Sequence, residues 1–166
     1  DASELKYCQF SDDEFNKLKL NEGDILVIRS NGSRALVGRS AIVTKEFNNY
    51  CYAGYLIRLR LRKESITSKF FNYALQSGYI RLQIEKKAKS TSGVNNINAK
   101  ELGSMAINMF SIEEQEQIVQ EIESRFSVID KLEGTVDNAL KKSEQLRNSI
   151  LKSAFEGKLV SYEGDT

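Results

Sequence analysis

The sequence predicts an α+β fold, a small mixed domain followed by one long C-terminal helix, and three observations carry that expectation. Short β-branched runs and turn residues fill roughly the first 110 positions without the strand–helix regularity of a doubly wound sheet. The stretch Tyr50–Arg62 ends in strict alternation, Ile57, Leu59 and Leu61 on one face and Arg58, Arg60 and Arg62 on the other, which is the period of a strand. After Ser111, apolar residues recur at three- and four-residue steps for many turns, the period of a helix.

Taken in order, Ser11 with Glu14 forms a capping box for a short helix ending at the turn Asn21-Glu-Gly23. The β-branched Asp24–Ser30 reads as a strand, and the turn Asn31-Gly-Ser33 joins it, hairpin fashion, to a second strand over Ala35–Val43. The alternating stretch Tyr50–Arg62 is the third. Ser68–Gln76 and Tyr79–Lys87 read as helices separated by the break Ser77-Gly78, and Lys89–Asn98 as a polar loop. A short strand at Met105–Phe110 is expected to close the domain.

The long helix is signalled at both ends. Ser111 with Glu114 is a capping box, the first turns are acidic as the helix dipole favours, and Gly157 lies where a left-handed stop belongs. From Ile112 to Phe155 such a helix would run about 65 Å at 1.5 Å per residue, too long for one small domain to cover. Its apolar stripe therefore requires a partner helix, with Ile118, Ile122, Phe126, Ile129, Leu132, Val136, Leu140 and Ile150 as the pairing residues. Gly134 inside it costs about 1 kcal/mol relative to alanine, so a bend or break is expected there.

Composition narrows the function. The 166 residues are 40% apolar, enough for one ordinary core. No histidine is present, which removes Ser-His-Asp and Cys-His catalysis and any imidazole zinc site. No GxxxxGK[ST] or GxGxxG phosphate loop occurs. Cys8 and Cys51 belong to no CxxC pair and read as two buried thiols rather than a disulfide or zinc ribbon. Neither a long apolar run nor a leader-like N-terminus marks the chain for membrane or export, so a cytoplasmic protein is expected. The chain starts with Asp1 rather than methionine, as an excerpt of a longer gene product would.

Charge is segregated. Residues 1–110 carry 17 Lys+Arg against 11 Asp+Glu, a net +6, whereas residues 111–166 carry 7 against 12, a net −5. Between Arg29 and Lys100 there are 14 basic residues against Glu46, Glu64 and Glu85. Such a patch is the electrostatic footprint of a nucleic-acid binder when suitable polar groups accompany it. Two segments supply them. Arg29, Ser30, Asn31, Ser33 and Arg34 combine guanidinium forks, an amide and hydroxyls around a glycine. Lys86, Lys87, Lys89, Ser90, Thr91, Ser92, Asn95 and Asn96 combine phosphate-binding charge with side chains suited to base edges. The bland alternative for both is a solvated turn or loop, and for Arg58, Arg60 and Arg62 it is an ordinary solvent face. Tyr50, Tyr52 and Tyr55 could stack on a distorted site, although packing is the commoner use of such residues. Glu85-Lys-Lys87 with a distant Asp24 has the outline of a nuclease metal site, an outline short enough to arise at random.

Three ordered motifs resemble a known family. Leu5-Lys-Tyr7, Leu20-Asn-Glu-Gly-Asp-Ile-Leu26, Arg29-Ser-Asn-Gly-Ser33 and Leu36-Val-Gly38 resemble the middle of a target-recognition domain of type I restriction-modification specificity subunits. Ser92-Gly-Val-Asn-Asn-Ile-Asn98 is similar to that family's polar loop before the closing strand. Ile112-Glu-Glu-Gln-Glu-Gln-Ile-Val119, Leu146-Arg-Asn-Ser-Ile-Leu151 and Ala154-Phe-Glu-Gly-Lys-Leu159 resemble its conserved spacer. The chain departs from the family in lacking prolines before the Glu-Gln-Ile-Val helix, in lacking the upstream start of the recognition domain, and in carrying one recognition domain and one spacer where the full subunit has two.

The resemblance implies a recognition domain over residues 1–110, a spacer helix over 111–159 and a tail over 160–166. It implies a noncatalytic half-subunit or truncated form that works as a dimer or beside a second specificity half through an antiparallel coiled coil. Such a chain reads one half of a bipartite double-stranded DNA site and docks the modification and restriction subunits. It holds no cofactor itself; S-adenosylmethionine, ATP and magnesium belong to those partners. The alternative is a coiled-coil interaction protein whose basic domain binds nucleic acid without sequence preference.

Overall fold

The computed structural model describes residues 5–159, apart from 63 and 92. The tail 160–166, and Ser92 among the candidate DNA-binding residues, lie outside the described residues. The chain divides into two compact units, Asp1–Val119 and Gln120–Thr166.

In the first unit, the strand expected from the β-branched stretch Asp24–Ser30 forms as β1 (Ile25–Ile28), whose Ile25 and Val27 are fully buried. It is the central strand of an antiparallel sheet in the order β3-β1-β4, between β3 (Ser40–Ile42) and β4 (Leu56–Leu59). The register sets Ile25 opposite Ile42 and Leu59, so β-branched and leucine side chains meet on one face. That face joins Val37, Leu75, Ile80, Ile84, Ile97 and Leu102 in one core, with Ile57, Leu59 and Leu61 packed against it as the alternation predicts.

Helices cover this sheet face. A short helix, α1 (Asp12–Leu18), precedes β1 and has the predicted Ser11/Glu14 capping box. The Ser11 hydroxyl and amide together hold the Glu14 carboxyl below its ordinary value. α2 (Ser68–Gln76) and α3 (Gly78–Lys87) meet at Ser77, which ends one helix and caps the next through its hydroxyl. The break read at Ser77-Gly78 is therefore a shared cap.

Five expectations are corrected in this unit. The chain from Asn31 to Ser33 is not the tight turn of a β1–β3 hairpin: a two-residue strand, β2 (Ser30–Asn31), leaves for a second sheet. The return strand expected over Ala35–Val43 shrinks to Ser40–Ile42, because Arg81 on α3 donates to the carbonyls of Val37 (2.6 Å) and Ala35 (3.1 Å) and holds the intervening backbone as turns. Gly38 makes that approach feasible. Its φ is +80°, and a Cβ there would sit 2.6 Å from Ile84 Cδ1. The polar loop at positions 89–98 is instead a hairpin of β5 (Lys89–Thr91) and β6 (Val94–Asn96), turned at Gly93 with φ +79°. The closing segment Met105–Phe110 is not a strand. Met105 and Ile107 do pack on the core, but the Gln83 side-chain amide takes both backbone groups of Ala106, at 3.2 and 3.3 Å, in place of a neighbouring strand. A further short helix, α4 (Ala99–Gly103), precedes it and is capped reciprocally by Asn98 and Glu101. Cys8 is exposed and Cys51 half-buried, which corrects the reading of both as buried thiols.

α5 (Ile112–Phe155) has the predicted bounds. Ser111 and Glu114 form its N-terminal box. At the other end Gly157 is left-handed (φ +71°), with its N–H on the Ala154 carbonyl and that of Lys158 on Ser153, a Schellman closure. The helix passes through Gly134 without a break, since nothing crowds that position and one glycine costs less than the surrounding helical bonds supply. Its first turns belong to the first unit, where Gln115 and Val119 are buried. Ile122 is partly buried, and from Phe126 onward the stripe residues stand about half exposed, from Ile129 at 47% to Val136 at 65%. Among the described residues, no helix is long and apolar enough to cross a membrane.

Candidate nucleic-acid interface

Positions 29–34 and 86–96 are about sixty residues apart in the chain, and the fold joins Ser30–Asn31 from the first to Lys89–Thr91 and Val94–Asn96 from the second in one sheet, with Lys86 and Lys87 on the end of α3. Its order is β2-β6-β5, antiparallel throughout, with Ser30 opposite Asn96, Asn96 opposite Lys89, Asn31 opposite Asn95, and Asn95 opposite Ser90. Thr91 pairs through its backbone with Val94. The chain enters the sheet at Arg29, whose N–H bonds the Tyr55 carbonyl and whose own carbonyl accepts from Ile97. Ile97 is fully buried, so this end of the polar sheet is anchored in the core.

Several polar groups hold the interface in shape. Asn31 accepts the Ser33 N–H through Oδ1 (2.8 Å), an Asx turn, and Asn95 donates Nδ2 to the Gly32 carbonyl (3.0 Å). Arg34 donates to the Glu85 carbonyl, tying the loop to α3. Lys87 bonds Ser104 Oγ (2.9 Å), and Lys89 faces Glu101 at 3.7 Å while remaining 79% exposed. Arg29, Ser33, Lys86 and Ser90 are exposed, and Ser30 and Asn96 half-buried. The two predicted segments thus form one polar surface in which lysine and arginine charges flank amides and hydroxyls.

The arginine row of β4 goes elsewhere. Arg60 grips Asp24 through two nitrogens at 2.7 and 2.8 Å, and both Arg58 and Arg60 donate to the Lys19 carbonyl. Arg58 also lies over the Tyr52 ring, 5.5 Å from its centre. Asp24 is 2% exposed, and burial would raise its pKa; the Arg60 hydrogen bonds, the Asn21 amide and the charges of Arg60 and Arg58 outweigh this and hold it below its ordinary value. Its carboxylate is committed to this network, and Glu85 lies 3.9 Å from Arg81. Among the described residues, no cluster of His, Cys, Asp or Glu is arranged to hold a metal. Tyr50 stacks edge-on with Phe47, and Tyr55 is 58% exposed.

Two residues that fix this geometry were not singled out in the sequence. Arg81 pins the loop after β2, as described above. Gln115, fully buried, accepts from the Thr67 N–H (2.9 Å) and donates to the carbonyls of Ser65 (3.0 Å) and Phe110 (2.9 Å), locking the first turn of α5 to the loop before α2. A glutamine in a helix-start sequence rich in Glu and Gln carries no local mark of burial.

The family model for the type I restriction modification DNA specificity domain matches residues 6–142 of this chain. The chain belongs to that family. Among its relatives in the specificity family, the type I restriction enzyme EcoKI specificity subunit of Escherichia coli (strain K12) is 33% identical over 97% of this chain and 35% of its own length. The StySPI specificity subunit of Salmonella potsdam is 34% identical over 89% of this chain and 32% of its own. The chain therefore spans about a third of the length of these relatives. A crystal structure of the HsdS subunit from Thermoanaerobacter tengcongensis matches 89% of this chain and 36% of that one with a TM-score of 0.62 at 15% identity, a likeness of fold.

Proposed function

We propose that this specificity-family chain is a noncatalytic DNA-recognition module of a type I restriction-modification system, with residues 1–110 as the recognition domain and 111–159 as the spacer. The observation that carries this reading is the union of Ser30–Asn31 with Lys89–Thr91 and Val94–Asn96 in one polar sheet flanked by basic residues. Phosphate contacts from Arg29, Arg34, Lys86, Lys87 and Lys89 supply affinity and orientation, and hydroxyls and amides beside them meet base edges. The chain reads one half of a bipartite site in the cytoplasm. Chemistry with S-adenosylmethionine, ATP and magnesium resides in the modification and restriction subunits that it positions.

The spacer supports the second half of the reading. Phe126, Ile129, Leu132, Val136, Leu140 and Ile150 form a stripe along α5 whose burial requires another helix, from a second copy or a second specificity half. Leu140→Asp places a charge in that seam and is expected to halve the particle mass of a self-paired chain in light scattering; an unchanged mass contradicts helix pairing.

The test of the function is the set of methylated motifs in the genome of the source cell, with and without this gene. One bipartite motif is expected to disappear on deletion. An identical set of motifs in both genomes would remove the assignment.

A further inference from the structure

The polar sheet has two unequal faces. Cross-strand partners share a face and successive residues alternate, so Ser30, Asn96 and Lys89 form one row with Val94 beside it, while Asn31, Asn95 and Ser90 form the other. Alternation sets the second row on the side from which the neighbouring residues enter the core, although Ser90 on the edge strand is itself exposed and Asn31 and Asn95 are half-buried, as Ser30 and Asn96 are. Ala88, two residues before Ser90, packs against the core, and Ile97, two residues after Asn95, is part of it. The first row turns the opposite way, and its Lys89 is 79% and its Val94 46% exposed.

The hydrogen bonds divide the amides in the same manner. Asn31 and Asn95 each engage the turn 31–33, one through its oxygen and the other through its nitrogen. The side chains of Ser30 and Asn96, on the outward row, have no hydrogen-bond partner among the described residues. An asparagine amide on the central strand, with both ends of the amide unclaimed, matches one ligand in nucleic acid especially well. Its Nδ2 donates to adenine N7 while its Oδ1 accepts from adenine N6. The neighbouring Val94 isopropyl group suits the other major-groove mark of an A·T pair, the thymine methyl.

From this placement we propose that Asn96 is a base-reading residue for an A·T pair, assisted by Val94 and Ser30, whereas Asn31 and Asn95 are positioning residues that shape the turn. The proposal rests on the DNA-recognition reading and goes beyond it by separating readers from scaffold within one sheet. Lys89 at the end of the row, already facing Glu101, supplies charge rather than discrimination.

The experiment is selection of bound duplexes from a pool with a randomised central stretch, using the full chain and its variants. The wild type is expected to enrich an A·T pair at one position that Asn96→Ala relaxes about five- to 150-fold, leaving the other positions intact. Asn96→Asp is expected to shift the same position toward cytosine, whose N4 amino group donates to a carboxylate, a gain that a misfolded protein cannot produce. Val94→Ala, at an exposed site, weakens preference for the same or the adjoining A·T pair. Asn95→Ala lowers binding to all selected duplexes alike and leaves the preferred bases unchanged. An unaltered selection by both Asn96 variants, or relaxation of a single position by Asn95→Ala, overturns the proposal while leaving DNA recognition standing. Failure of the wild type to enrich any sequence overturns DNA recognition and this proposal together.

Discussion

The two sheets of the first unit are both small, three-stranded and antiparallel, yet they are built from opposite materials. The sheet β3-β1-β4 reads Ser-Ala-Ile, Ile-Leu-Val-Ile and Leu-Ile-Arg-Leu; the sheet β2-β6-β5 reads Ser-Asn, Val-Asn-Asn and Lys-Ser-Thr. The first is held by apolar burial, with Ile25 and Val27 fully removed from solvent. The second buries little of its own. It is held by backbone pairing, by the core-embedded Ile97 at one end and by the Asn31 and Asn95 turn bonds at the other. Backbone hydrogen bonds do not depend on side-chain identity. A sheet supported in this way can change its outward residues without losing its shape, which is what a reader of varied DNA sequences needs.

The contrast predicts that stability and DNA preference respond to different residues. The largest effect is expected in the apolar sheet: Ile25→Ala should cost about 2–5 kcal/mol by lost burial and the cavity left behind. A denaturant melt measures it, and an unchanged midpoint would break the distinction.

A smaller effect belongs to the Asp24–Arg60 pair, which fastens β4 and the turn before β1. Asp24→Asn should cost about 1–2 kcal/mol at neutral pH, discounted because Arg60 is half exposed. Because the folded-state pKa of Asp24 is depressed, its contribution is complete above the unfolded value of about 4 and fades as pH falls through the folded value. Melts of wild type and variant should therefore converge below about pH 4, after the unfolded carboxyl has begun to protonate. A difference that persists undiminished at low pH would remove the ion pair as its source.

The smallest change in stability is expected on the polar surface. Lys86→Ala should shift the melt by no more than about 0.5 kcal/mol, yet lower the slope of log affinity against log salt by about 0.9 for one lost phosphate contact. An unaltered slope would take Lys86 out of the interface.

What the sequence revealed follows the range of its signals. Caps are local, so Ser11 with Glu14, Ser111 with Glu114 and Gly157 placed three helix boundaries correctly, and the break read at Ser77-Gly78 located the junction of α2 and α3 to within a residue. Alternation at positions 57–61 gave the buried face of β4. Asn98 with Glu101 was an equally readable box, and α4 was passed over because so short a helix shows no period. The β5–β6 hairpin was read as a loop because strand propensity reports packing, and this strand pair scarcely packs. The errors at positions 35–39 and 105–110 come from Arg81 and Gln83, distant side chains that bind backbone where a strand would have done so. The candidate site divides similarly. Its residue types were legible segment by segment, whereas the meeting of Ser30 with Asn96 depends on a 66-residue separation that no local pattern encodes.

The polar sheet is proposed to give this chain a preference among DNA sequences. The most direct measurement is competition between a selected bipartite duplex and scrambled DNA over a salt series. A preference of roughly a thousandfold or more at physiological salt is predicted, with log affinity falling linearly and steeply against log salt. Equal affinity for both duplexes at every salt concentration would contradict it.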